Sequence, residues 1–402
     1  DDGTGAPTGL GRHLGVNRRV LVVAEVALAI VLLAGSGLAT RSLINLLSVD
    51  AGFDPSGVVT LRVNVPQGTV ALDSMPGFYE AIRARVAAVP GVHDVALGDC
   101  PPVAGGCNGT IMTFADRPPS PTGNAIVGVH WVTPNWFGTM RVPLRAGRLP
   151  DVTDGAGTPR VIVINEAAAR KYFPGEDPLG KRVAVYQGGF DKGATIVGVV
   201  GDVRFGTIDS TAQPDAYISY GQSSPRRAML FVRTVNDPAA AVPSVRAALK
   251  EVAPKLPVFD VQTMDARVAA ATGQARLSAT LLALFAVLAL ALAVMGIYGV
   301  MSFAVAQRTR EIGIRVAMGA DSGCVVRLFT REGLVQSGAG VAIGLVGAFA
   351  LTRVMRGLLY GVAPDDLATF VAIIGVVMVA TGLATWIPAR RAARLDPVEA
   401  LR

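Results

Sequence analysis

The chain has 402 residues, 51% of them hydrophobic and only 17% charged, and its mean hydropathy is +0.46. That balance argues against an ordinary soluble enzyme and fits a membrane protein carrying a soluble domain. The formal charge of +7 comes largely from arginines clustered beside apolar runs, without aromatic interleaving, so it reads as a topology signal rather than a nucleic-acid surface.

Residues 1–19 form an arginine-bearing lead segment with Arg12, Arg18 and Arg19. Val20 to Leu47 follows as the first apolar run, longer than the about 20 residues that cross roughly 30 Å of hydrocarbon. A cleaved signal peptide over residues 12–39 fits less well. The run exceeds the about 7 to 15 residues of a signal core, and Ser42 to Leu47 continues it without a clear cleavage context. Glu25 reads as an interfacial carboxylate near Arg18 and Arg19, with a transport-path residue as the alternative.

Residues 48–276 are expected to be one large α+β domain outside the membrane. Val58 to Val65 alternates as a strand, Gly77 to Ala88 has helical periodicity, and Val92 to Leu97 is a strand again. The order recurs as Met229 to Val235, Ala239 to Val252 and Val258 to Val261. Two such β-α-β units, over 58–99 and 228–265, pair into a split, ferredoxin-like layer. Residues 100–227 are a β-rich insertion with strands Ile126 to Val132, Arg160 to Ile164, Ala194 to Val200 and Ala216 to Tyr220, interrupted by one helix, Asn165 to Tyr172.

Cys100 and Cys107 flank a Pro/Gly-rich loop in this domain. They either close a disulfide, which an oxidising compartment permits, or stand as two free thiols. None of His13, His93 and His130 has a second ligand at metal spacing, so no metal site is expected. Gly175 to Arg182 matches a phosphate loop up to its last position, where Arg182 replaces Ser or Thr. A helix precedes that loop and a strand follows it, the reverse of the order that aims helix N-terminal amides at phosphate, so it reads as a turn into a strand at Arg182 to Tyr186. No catalytic residue and no cofactor-binding residue is identified, because no nucleophile elbow, zinc-protease helix or Cys/His arrangement is present.

Three more apolar runs follow, Leu277 to Val305, Leu334 to Leu351 and Phe370 to Ile387. The third of the four spans is diluted by Gly338, Gly340, Gly344 and Gly347. Small residues at that spacing let membrane helices approach closely. Arginines gather before span one, in the 306–333 segment and in the 388–402 tail, while the 352–369 loop has only Arg353 and Arg356 beside Asp365 and Asp366. The positive-inside rule then sets both termini and the 306–333 segment in the cytoplasm of a multi-pass inner-membrane protein.

The segment Thr309 to Ala320, T-R-E-I-G-I-R-V-A-M-G-A, the tail Pro388 to Arg402 and the single long external domain together resemble permeases of the MacB-like and FtsX-like ABC transporter class. Val20 to Leu33 and Val49 to Pro55 also resemble the second half of duplicated, eight-span orphan permeases of acidobacteria. The resemblance implies that the chain binds no cofactor itself and uses ATP through a separate cytoplasmic ABC ATPase. A coupling helix at Glu311 to Met318 would meet that subunit, with Ile312, Ile314 and Met318 as apolar contacts and Arg310, Glu311 and Arg315 as polar ones. The bland reading of the same residues is a juxtamembrane helix on anionic lipid.

Asp396, Pro397 and Glu399 fit a helix start in the tail, which with Arg390, Arg391 and Arg394 either lies on the inner leaflet or frames the ATPase contact. The expected function is mechanotransmission for export or efflux, requiring a second permease half or a homodimer in the bilayer, with periplasmic or outer-membrane components as optional further partners. The alternative is a non-transporting scaffold or sensor that activates an extracellular hydrolase or binds an envelope ligand.

Overall fold

The computed structural model describes residues 9–117, 125–209, 211–307, 322–354 and 367–392. The chain runs through α1 (Gly9–Leu47), β1 (Val58–Asn64), α2 (Met75–Ala87), β2 (Val92–Gly98), β3 (Gly109–Phe114), β4 (Ala125–Val132), α3 (Trp136–Thr139) and β5 (Leu144–Gly147). Next come β6 (Val161–Asn165), α4 (Glu166–Tyr172), β7 (Arg182–Val185), β8 (Phe190–Val200), β9 (Asp215–Ser219), β10 (Arg227–Thr234), α5 (Pro238–Val252), β11 (Val258–Thr263) and α6 (Met264–Ala271). Three long helices complete it, α7 (Gly273–Gln307), α8 (Ser322–Val354) and α9 (Leu367–Ala392). Two compact units result, Val49–Gly273 and the helical remainder.

In the helical unit, α1, α7, α8 and α9 each contain a stretch long and apolar enough to cross a bilayer: Val20–Leu47, Gly273–Gln307, Gly333–Val354 and Thr369–Arg391. All but the first outrun the apolar runs seen in sequence, because hydropathy reports only what suits lipid while backbone hydrogen bonding continues past it. Ahead of the third apolar run, α8 already begins at Ser322. At their other ends, α8 runs on to Val354 and α9 from Leu367 to Ala392. At 1.5 Å per residue, the 39 residues of α1 and 35 of α7 extend about 58 and 52 Å. Both lengths exceed the roughly 30 Å hydrocarbon core by a wide margin.

The helices pack through small side chains. Ala29, Ile30 and Ala34 of α1 share one buried cluster with Ala289, Ala293 and Ile297 of α7, Ala348 of α8, and Ile373 and Val377 of α9. A Cβ on Gly340 would lie 2.7 Å from the Val26 Cβ and 3.0 Å from the Val23 carbonyl, and one on Gly344 would lie 2.9 Å from the Ala27 carbonyl. The glycines that dilute span three therefore let its backbone touch that of α1. Gly338, with nothing within 4 Å, is not part of this stripe.

In the external unit, β11, β1, β10 and β2 lie side by side, all antiparallel. In order of appearance these are strands 4-1-3-2 of two β-α-β units, the split arrangement expected from sequence. A single pairing, Gly98 to Val132, carries the sheet on into the insertion. There β4, β3, β7, β8, β6 and β9 pair in succession, and β9 returns to β4 in parallel through Gly128↔Asp215 to Val132↔Ser219. Among the described residues these six strands thus close a ring, and β5 pairs with β8 alongside it. Among the described residues the insertion contains two helices, α3 and α4, rather than the one expected, because α3 is a single turn too short to show helical periodicity. One apolar core runs through both parts, from Tyr79, Ile82 and Leu230 to Val127, Ile164 and Ile218.

Candidate functional site

The residues expected to couple to an ATPase, Arg310, Glu311, Ile312, Ile314, Arg315 and Met318, lie outside the described residues, between the end of α7 and the start of α8. Of the tail residues, Arg390 and Arg391 belong to the last turn of α9, and Arg394, Asp396 and Glu399 lie outside the described residues. The Arg390 guanidinium sits 4.9 Å from the Trp386 ring centroid, and Arg391 Nη1 donates to Tyr298 Oη at 3.1 Å. The second contact ties the last turn of α9 to α7. Glu25 is not solely interfacial: its Oε2 is buried, and a Cβ on Gly296 of α7 would come within 2.1 Å of it.

The external unit begins at Val49, and its first residues are clamped. Gly52, at φ +81°, has its Cα so close to the Asp202 carbonyl that a Cβ would fall 1.7 Å from that oxygen, so only glycine fits. The Arg204 N–H donates to the Ala51 carbonyl at 3.1 Å, and the Asp54 N–H to the Met140 carbonyl at 3.0 Å. Arg233 on β10, 6% exposed, spreads its guanidinium over three carbonyls, those of Thr139 (2.6 Å), Ser56 (2.7 Å) and Asp54 (2.9 Å). Burial draws the Arg233 pKa below its ordinary value, with Asp54 pulling the other way. For Asp54 burial is the largest influence and acts upward, but the Ser56 hydrogen bonds with Arg233 and Arg141 outweigh it and hold the carboxyl low.

Beside this clamp lies a cleft of about 410 Å³. Its charges are largely spoken for by ion pairs. Arg141 reaches Asp54 at 2.7 Å and Arg145 reaches Glu166 at 3.4 Å, while Asp202 accepts from the Ala167 N–H at 2.7 Å and from Arg170 at 2.6 Å. Such pairing builds a wall and offers no nucleophile or general base poised for chemistry. Among the described residues no group of three His, Cys, Asp or Glu side chains could hold a metal ion.

Cys100 and Cys107 are joined as a disulfide with Cα atoms 6.2 Å apart. The loop they close hydrogen-bonds the 204–206 segment: Val103 N–H to the Arg204 carbonyl at 2.8 Å, Gly105 N–H to that of Gly206 at 3.3 Å, and Gly106 N–H to that of Phe205 at 3.3 Å. Phe205 stacks on His130, ring centroids 3.5 Å apart. His130 Nε2 is 3.0 Å from Asp215 Oδ1, and both side chains are almost wholly buried. Sequence spacing could not reveal this pair, since 85 residues separate the partners. Parallel pairing of β4 with β9 brings them together, with Gly128 leaving room for the carboxylate and Asn165 Oδ1 accepting the Asp215 N–H at 2.9 Å.

The phosphate-loop look-alike is a turn from α4 into β7. Lys181 contacts Glu176, and the Gly180 N–H donates to the Ile196 carbonyl at 2.8 Å, so the lysine and this loop amide already have partners within the chain.

The family model described as "MacB-like periplasmic core domain" matches residues 20–252, and "FtsX-like permease C-terminal" matches 283–397. The macrolide export ATP-binding/permease protein MacB of Azoarcus is 29% identical over 292 residues, covering 70% of this chain and 42% of the relative. The pyoverdine export ATP-binding/permease protein PvdT of Pseudomonas syringae is 27% identical over 321 residues, covering 76% and 47%. The chain therefore spans less than half the length of these relatives. The periplasmic region of MacB from Actinobacillus actinomycetemcomitans aligns with a TM-score of 0.37 at 16% identity, over 55% of this chain and 95% of that one.

Proposed function

The chain belongs to the family of FtsX-like permeases with a MacB-like periplasmic core domain, and on that premise we propose that it is the permease subunit of an ABC exporter that works by transmitting force. ATP is bound and hydrolysed by a separate cytoplasmic ATPase, whose movement reaches this chain through Arg310 to Met318. The single observation that carries the reading is the match of both permease models to a chain whose α1 and α7 outrun the bilayer on either side of one clamped external unit. The direction is export, in keeping with the names of the Azoarcus and Pseudomonas relatives.

Both termini and the 306–333 segment face the cytoplasm of a bacterial inner membrane in this reading. A second permease half or a second copy of the chain is needed, because one coupling helix engages one ATPase protomer; envelope components would receive the cargo. Ile312→Asp or Met318→Asp, each placing a carboxylate in an apolar socket, should abolish recovery of the ABC ATPase that co-purifies with the parent chain. Unchanged co-purification of both variants would overturn the coupling assignment.

A further inference from the structure

We propose that the Cys100–Cys107 disulfide is a redox-sensitive latch that holds Phe205 as a lid over the buried His130–Asp215 pair. The inference concerns the external unit alone and stands independently of the ATPase assignment.

Three independent observations converge on the 201–208 segment. The first is how it is held: three backbone hydrogen bonds, donated by Val103, Gly105 and Gly106, tie it to the disulfide loop. The second is backbone strain in the loop that holds it. Val103 is β-branched, 7% exposed and at φ +54°, a region such residues seldom adopt unless the surroundings impose it. A short covalent ring imposes that conformation, and opening the ring frees Val103 to relax and withdraw its hydrogen bond to Arg204.

The third observation is what lies beneath Phe205. Its ring stacks on His130 and lies 6.1 Å from Trp136 and 6.2 Å from Tyr217. In that cluster His130 Nδ1, Asp215 Oδ2, Tyr217 Oη and Trp136 Nε1 are all buried without a hydrogen-bond partner. Orphaned polar atoms of this kind are rare in folded proteins, and they gain partners when water reaches them. Lifting Phe205 would let water in. Burial of the ring and solvation of the four atoms therefore oppose each other, which is what a two-state lid requires.

Opening needs a dithiol. A thiolate of the dithiol attacks one cysteine sulfur, the S–S bond breaks, and a mixed disulfide forms; its second thiol then displaces the remaining cysteine. The chain gains two electrons and two protons as Cys100 and Cys107 become thiols, and the dithiol leaves as a cyclic disulfide. Arg204, next to Phe205, also holds Ala51 in the entry clamp, so the open lid loosens the residues that follow span one.

The test is carbethoxylation of the full-length protein in detergent with diethyl pyrocarbonate, read by peptide mass, with dithiothreitol as the reductant. Exposed His93 is the internal standard. In the oxidised protein His130 should react at least tenfold more slowly than His93. Reduction, Cys100→Ser with Cys107→Ser, and Phe205→Ala without reduction should each raise its rate about tenfold or more, with Phe205→Leu intermediate. Hydrogen exchange of the β1 and β6 amides is followed in parallel. The proposal is overturned if reduced protein keeps the oxidised rate, if Phe205→Ala leaves His130 protected, or if β1 and β6 lose protection together with His130, since that is melting of the domain and not a latch.

Discussion

Replacing Gly344 by alanine tests whether backbone contact between α1 and α8 holds the helical unit together. Alanine is the better helix former by about 0.8–1 kcal/mol, so propensity alone predicts a gain. Against it, the new Cβ would stand 2.8 Å from the Ile30 Cβ, 2.9 Å from the Ala27 carbonyl oxygen and 3.0 Å from the Ala27 Cα. Two of these neighbours are backbone, which no rotamer change can move, so the helices must part. Overpacking of this kind costs typically about 1–3 kcal/mol. The balance is a net loss of up to about 2 kcal/mol, centred near 1 kcal/mol, which is about a fivefold shift towards the unpacked state.

Gly338→Ala supplies the control, because nothing lies within 4 Å of that position and the propensity gain should stand unopposed. The assay is the reversible unfolding midpoint of the full chain in mixed micelles, with the yield of a disulfide between cysteines introduced on α1 and α8 as a second reading. Gly344→Ala should lower both, and Gly338→Ala should leave the cross-link unchanged and raise the midpoint slightly. A Gly344→Ala protein as stable as the parent would refute the close-contact argument.

Gly52→Ala should damage the external unit more severely than any other single methyl, because the side chain meets the Asp202 carbonyl at a positive φ; the domain's melting temperature should fall and hydrogen exchange at Ala51 and Arg204 should accelerate. Asp154 is held low by the Arg148 guanidinium, which contacts its two carboxylate oxygens at 2.6 and 2.9 Å. Its stabilisation is therefore present above the unfolded carboxyl's value near 3.8 and is lost as pH falls through the lower folded value. Asp154→Asn should lower stability at pH 7 and flatten the acid limb of the melting curve; an acid limb of unchanged depth would refute the assignment. Asp99 is shifted the other way, upward by burial. Stability there falls as pH rises from the ordinary value of 3.8 through the raised one, so Asp99→Asn should gain on the parent over that rise while its amide oxygen still accepts the Trp131 N–H. A melting-temperature difference that does not grow over that interval would refute it.

The features legible in the sequence were those written in local periodicity. Period two at Val58 to Val65 and the helical spacing of Gly77 to Ala88 place β1 and α2 within a residue or two, and their recurrence after residue 227 implies the four-stranded layer. What sequence could not show depends on pairing between distant strands. β9 is buried on both faces and reads as a plain apolar run, with nothing to say that it closes a ring on β4. The short β5 is exposed throughout and carries no alternation, and its place is set by pairing with β8, where Gly147 and Gly198 allow close approach.

The motif Val49 to Pro55 shows both limits at once. As a string it carried a family resemblance without a reason. The contacts supply the reason: Gly52 fits against the Asp202 carbonyl because it lacks a side chain, Asp54 is gripped by Arg141 and by the Ser56 N–H, and Ala51 is held by Arg204. These seven residues join a helix of about 58 Å to the external unit. Held to β10, α3 and the 202–204 segment, the stretch is an ordered part of the external unit and not a loose linker.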